Sequence, residues 1–135
     1  MTYLVDANVL SEPTKPAPDA RVVEWLEAHE ADFVVDSVVL GELCLGVLAL
    51  PRGRRRERLE QWFATVVETV DCLPWDAAVA RRWAALVVYL KGKGQTLPML
   101  DGMIAATALA HGLIVATRNT RDFARAGVEV VDPFV

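Results

Sequence analysis

A four-residue stretch near the start, Tyr3-Leu4-Val5-Asp6, constrains the fold more than any other segment. A run too short for a helix meets a carboxylate, and Asn8 and the helix-opening set Ser11-Glu12-Pro13 follow at once. The pattern predicts a buried strand, Tyr3 to Asp6, that delivers an acid to its carboxyl end. In open α/β sheets that end is where ligands bind.

Comparable runs recur along the chain with helical patterns between them. Phe33 to Val35, Glu68 to Leu73, Leu113 to Thr117 and Val128 to Val131 read as further strands. Asp19 caps a helix through Glu30, and Ser37 is placed to cap a second, from about Val38 to Leu50. A third covers Arg54 to Val67 and a fourth Ala77 to Lys91. Pro98 suits the first turn of a helix from Met99 to His111, which Gly112 stops, and a short helix spans Thr120 to Ala126. Strands alternating with helices predict βαβ units and an α/β fold with a mainly parallel sheet.

The 135 residues form a single domain, 1–135, with no internal repeat or linker. The hydrophobic share, 53%, is concentrated in Val, Leu and Ala runs, which suits strands covered on both faces. No apolar segment approaches the roughly 20 residues of a membrane span, and no basic region precedes the first apolar stretch as in a signal peptide. The expectation is a cytoplasmic protein with no membrane partner. Cys44 and Cys72 lie in apolar surroundings without a ligand motif, so they read as buried free thiols of a reduced compartment. A net charge of -4 argues against a sequence-independent DNA binder but not against a nuclease. Acids that hold a metal present a cationic face to phosphate.

Four acids stand just past a strand end or near a helix start: Asp6, Glu42, Asp101 and Asp122. Taken singly, each is explained by the attraction of helix N-termini for negative charge. Glu42 and Asp101 resist that explanation, because they interrupt the apolar segments VVLGELCLGVL and LPMLDGMIAATALA. A carboxylate there costs several kcal/mol unless paired or metal-bound, and no Lys or Arg stands at helical spacing from either. Several carboxylates sharing one site need protons or a cation. Oxygen ligands without His or Cys suit Mg²⁺ or Mn²⁺. Such a centre fits phosphodiester hydrolysis, in which the ion polarises a phosphate oxygen and helps make hydroxide.

Four segments, in this order, carry a family resemblance: LVDANVLSE from Leu4, GELCLG from Gly41, DGMIAATA from Asp101 and ATRNTRDF from Ala116. Together they resemble the PIN domain, and within it the toxin half of VapBC-type toxin–antitoxin pairs, of the FitB-like branch. The similarity covers essentially the whole chain. It implies a PIN-like three-layer sandwich with a five-stranded sheet, and a Mg²⁺- or Mn²⁺-dependent endoribonuclease. It also implies a homodimer silenced by a cognate antitoxin protein, which alone would bring it to DNA. Carried over by position, Asp6, Glu42 and Asp101 match the acids of the PIN centre. Relatives differ at the fourth place: some have an acid where this chain has Asn119, others pair Asn there with an acid three residues on. The second pattern makes Asp122 the fourth acid and Asn119 its polar partner. Asn8, Thr117 and Ser37 are candidates for orienting the carboxylates or a water, though N-capping explains Ser37 equally well.

Ordinary structural roles explain most of the remaining features better than function does. The arginines between Arg52 and Arg58 make a solvated helix face, and Arg54 and Arg55 are the candidates there for steering RNA phosphates. Lys91 and Lys93, in a glycine-containing loop before Asp101, are a second pair of RNA candidates. Trp25, Trp62, Trp75 and Trp83 suit packing or a dimer contact better than base stacking. His111 before Gly112 is explained by the helix dipole. There is no serine elbow, activated cysteine or Gly-rich phosphate loop. Two rivals to the nuclease reading follow. One is a FitB-like subunit of a DNA-binding repressor complex with little nuclease activity. The other is an aspartyl-nucleophile hydrolase, which is weakened because Asp6-Ala7-Asn8 lacks a second acid.

Overall fold

The structure, a computed structural model, describes residues 2–135. Five strands form one parallel sheet: β1 (Tyr3–Val5), β2 (Phe33–Asp36), β3 (Cys72–Leu73), β4 (Ile114–Ala116) and β5 (Val130–Val131). Their order across the sheet is β3-β2-β1-β4-β5. Tyr3 pairs with Phe33 on one side and with Ile114 on the other. The chain therefore builds outward from β1 through β2 to β3, returns, and builds outward again from β1 through β4 to β5. The reversal lies between β1 and β4, the kind of switch point at which α/β sheets open a crevice beyond their carboxyl ends.

Among the described residues seven α-helices connect and cover the strands: α1 (Ala7–Leu10), α2 (Ala20–Ala28), α3 (Ser37–Leu48), α4 (Arg54–Thr69), α5 (Ala77–Gly92), α6 (Met99–His111) and α7 (Thr120–Arg125). Successive strand residues point to opposite faces. Leu4 and Val5 are both fully buried, as are Val115 and Ala116, so both faces of the central strands are covered. That is the three-layer α/β sandwich that the resemblance implies, with the parallel sheet that the alternating pattern predicts. One core joins Leu4, Val5, Val35, Ile104, Val115 and Phe123. Burying a residue of this size contributes about 1.5–3 kcal/mol. No helix among the described residues is long and apolar enough to cross a membrane.

Several elements begin, end or are capped away from the positions their sequence predicts. The first helix does not wait for Ser11-Glu12-Pro13. It begins at Ala7, because the Asp6 carboxylate caps it by accepting from Ala7 N at 2.8 Å, and Glu12–Thr14 forms a separate 3₁₀ turn. Helix α2 stops at Ala28, and Glu30–Asp32 is another 3₁₀ turn. The strand expected over Glu68 to Leu73 shrinks to Cys72–Leu73, since α4 continues to Thr69. The cap of α3 is Asp36 and not Ser37. Asp36 Oδ1 accepts from Val39 N at 2.8 Å, while Ser37 is the first helical residue and is exposed. Both cysteines are free, but Cys72 is exposed on its edge strand and Cys44 only half-buried.

The tryptophans are all half-buried. Trp25 stacks on His29 at 4.3 Å between ring centroids and meets the edge of Tyr3, while Trp75 meets Trp83 at 6.4 Å. Gly112 ends α6 at φ 65°, a left-handed conformation in which glycine carries no Cβ penalty.

Candidate active site

Because every strand is parallel, the carboxyl ends gather on one edge. Asp6 follows β1, Asp36 ends β2 and Thr117 follows β4. Asp6 is 4% exposed, and its carboxylate is held from three directions. Oδ1 accepts from Ala7 N. Oδ2 accepts from the Thr117 hydroxyl at 2.7 Å and from Asn8 Nδ2 at 3.2 Å. Asn8 in turn accepts from Arg118 N at 3.2 Å, and Thr117 Oγ1 accepts from Asn119 N at 3.0 Å. This network locks the β1 and β4 ends together. Burial still dominates, raising the Asp6 carboxyl above its usual range against the opposing pull of Thr117, Ala7 and Asn8.

Glu42 sits one turn into α3, beside the buried Leu43. Its Oε1 is buried and has no hydrogen-bond partner among the described residues. Burial first, and then the charges of Asp6, Asp101 and Asp36, push its carboxyl up to about 7. Asp101 lies in the first turn of α6 and is raised in the same direction, by burial first and then by Asp6. Asn119 Nδ2 donates to Asp101 Oδ2 at 2.8 Å and to Asp122 Oδ2 at 2.9 Å, so one amide bridges both acids. Asp122 also lies 3.7 Å from Arg125.

The fold thus assembles most of the residues singled out in the sequence. Asp6, Glu42 and Asp101 act on one another electrostatically, and Asn119 joins Asp122 to them. Asn8 and Thr117 touch Asp6 directly. Ser37 does not join: its side chain makes no hydrogen bond among the described residues, and Asp36 has taken its cap. Arg54 and Arg55 are exposed at the start of α4. Lys91 and Lys93 are exposed at the end of α5, with Lys93 Nζ 4.6 Å above the Tyr89 ring.

Two residues escaped the sequence reading. Asp36 is 1% exposed, and its Oδ2 accepts from the fully buried Thr107 hydroxyl at 2.7 Å. Burial raises its carboxyl too, against the pull of Thr107 and the α3 backbone, with the Asp6 charge adding to the rise. The signal was available: FVVDS repeats the form of YLVDA, an apolar run ending on an acid.

None of Asp6, Asp36, Glu42 and Asp101 is ion-paired among the described residues. All the donors are hard oxygens, one of them an orphaned buried carboxylate oxygen. That combination fits a divalent cation of the Mg²⁺ type. Among the described residues no three acids converge closely enough to ligate one ion directly as they stand. This accords with Mg²⁺ taking one or two carboxylates and keeping several waters. A cleft of about 380 Å³ differs in character: it is apolar, between α5 and the loop before α6, lined by Trp83, Leu86, Leu90, Leu97 and Met99.

A family model described as the PIN domain matches residues 3–129. The toxin FitB of Neisseria gonorrhoeae is 40% identical over 97% of this chain and 97% of its own. A VapC ribonuclease of Sinorhizobium fredii is 36% identical over 97% of this chain and 96% of its own. Among solved structures, FitAB bound to a DNA fragment superposes with a TM-score of 0.93 at 36% identity, covering 99% of this chain and 96% of that one.

Proposed function

The chain belongs to the PIN domain family, and from that premise we infer that it is a divalent-metal-dependent endoribonuclease, the toxin of a VapBC-like toxin–antitoxin pair working in the cytoplasm. One observation carries the metal-dependent part. Glu42 keeps a buried, unpartnered oxygen in the field of Asp6, Asp101 and Asp36. A cation at that point would satisfy the oxygen and cancel the repulsion.

Asp6, Glu42, Asp101 and Asp122 are the acids that would hold Mg²⁺ or Mn²⁺, some directly and some through water. When bound, the ion supplies charge stabilisation at the phosphate and lowers the pKa of water. The protein contributes positioning. Thr117, Asn8 and Ala7 N fix both oxygens of Asp6, and Asn119 sets Asp101 and Asp122 side by side. Hydrolysis at this site would exchange the bond from phosphorus to the leaving oxygen for one to a water oxygen, with a proton of that water passing to the leaving oxygen, and would need no covalent enzyme intermediate. Lys91 and Lys93, which lead toward the helix that carries Asp101, are the cations offered to the RNA backbone; Arg54 and Arg55, exposed at the start of α4, mark the alternative RNA path. Exposed apolar side chains on α3 and α5, among them Leu45, Leu48, Val88 and Tyr89, are suited to a second copy of the chain or an antitoxin.

The test is Asp6→Asn, an isosteric change that keeps the Ala7 cap. The variant should fold and lose Mg²⁺- and Mn²⁺-dependent RNA cleavage together with growth arrest. Cleavage at the wild-type rate would overturn the assignment.

The likeness to FitAB on DNA favours a second reading, that of a subunit in a DNA-binding repressor complex with little nuclease activity. Acidic overall, the chain would reach DNA through its antitoxin. Cleavage assays on the isolated chain separate the two readings: no cleavage with either metal, alongside DNA retardation by the complex, selects the repressor.

A further inference from the structure

The buried pair Asp36 and Thr107 does more than cap a helix. One Asp36 oxygen accepts from Val39 N and fixes the start of α3; the other accepts from Thr107 in the middle of α6. A serine or threonine would cap α3 at far lower desolvation cost than a carboxylate that is 1% exposed. The second oxygen has no part in capping. Thr107, for its part, has its own helix's Met103 carbonyl in reach at 3.4 Å, yet its short contact, 2.7 Å, is to Asp36. The two helices joined in this way carry Glu42 and Asp101. Glu42 stands one turn beyond Val39, and Asp101 stands on α6 ahead of Thr107.

We propose that Asp36 and Thr107 are a positioning pair that holds Glu42 of α3 and Asp101 of α6 at the separation required to share one divalent cation. The proposal rests on the reading of Glu42 and Asp101 as metal-holding acids. Asp36 itself is tied to both helices by hydrogen bonds.

Mn²⁺ binding to the full metal-free chain, without RNA and well below its melting temperature, tests this by calorimetry or electron paramagnetic resonance. Asp36→Ser keeps the α3 cap but cannot reach Thr107. Thr107→Val keeps the shape but loses the donor. Each should weaken Mn²⁺ binding about 10–100-fold, the range for removing a partner that orients a ligand. The double variant should bind no more weakly than the single ones, because both remove the same link. Asp36→Asn and Thr107→Ser, which keep the link, should bind Mn²⁺ close to wild type. Val22→Ala, a core truncation on α2, should lower the melting temperature and leave Mn²⁺ affinity unchanged, which separates positioning from general loosening. If Asp36→Ser fails to fold, Thr107→Val carries the test. Wild-type Mn²⁺ affinity in Thr107→Val, with Asp101→Asn impaired, overturns the proposal alone. No Mn²⁺ binding by the wild-type chain overturns the metal-site reading and the proposal with it.

Discussion

The Thr117 hydroxyl donates to Asp6 Oδ2 at 2.7 Å, tying the ends of two neighbouring strands across 111 positions of sequence. It is the shortest of the bonds to the Asp6 carboxylate, and Thr117 is itself fully buried. Thr117→Val should therefore cost about 1–3 kcal/mol, the range for leaving a buried polar group short of a partner. Urea unfolding measures it. RNA cleavage should fall as well, because Asp6 loses its orientation, and Thr117→Ser should restore both. Unchanged unfolding in the valine variant would show that the bond contributes nothing.

Asn119 divides the roles at the fourth position. Its amide is the donor shared by Asp101 and Asp122, so Asn119→Asp replaces a donor with a third repelling carboxylate. The metal-free variant should lose about 1–3 kcal/mol at neutral pH through the two lost bonds, and added Mn²⁺ should recover much of that loss. Thermal melts with and without Mn²⁺ provide the reading. A variant as stable as wild type without metal would mean that the bridge is not needed.

Glu42 predicts a pH dependence of definite sign. Its folded-state pKa is raised from 4.5 to about 7, chiefly by burial. Between those values the folded chain binds more protons than the unfolded chain. This contribution to stability is therefore complete below about pH 4.5 and is lost as pH rises through 7. Glu42→Gln removes the loss, so the metal-free variant should gain on wild type from pH 5 to pH 8. The gain should be on the order of 1 kcal/mol, discounted for the half-buried, solvent-screened side chain. Parallel denaturation curves at the two pH values decide it: a constant difference between the proteins would refute the burial argument.

The basic residues separate through salt. Each phosphate contact adds about 0.7 to the slope of log affinity against log salt for single strands. Lys91 and Lys93 lead into the helix that carries Asp101, so replacing both with alanine should lower the slope measured with the uncleaving Asp6→Asn background. Replacing Arg54 and Arg55, exposed on α4, should leave it nearly unchanged. The reverse result would move the RNA path to α4.

Much of this protein is decided within short stretches of sequence. A three- or four-residue apolar run bounded by turn and polar residues suits a strand covered on both faces, and an acid after it is carried to the sheet edge, as with Asp6. Pro98 and Gly112 bound α6 as expected because their backbone constraints are local. Glu42 and Asp101 were conspicuous because a carboxylate in an apolar helix segment needs a partner wherever that helix packs.

Tertiary structure decided the rest. Local sequence does not say which of two adjacent polar residues turns inward, and of Asp36 and Ser37 it is Asp36 that caps α3. Nor does it say that Thr107, one hydroxyl in an alanine-rich helix, finds its acceptor on β2, or that Asn119 bridges Asp101 and Asp122. Those contacts exist only because parallel strands bring distant segments to one edge. There burial strengthens electrostatics and makes every unpaired oxygen costly. The chain's local chemistry determined which acids could matter; the packing of α3 and α6 against the β1–β4 switch determined which of them share a field.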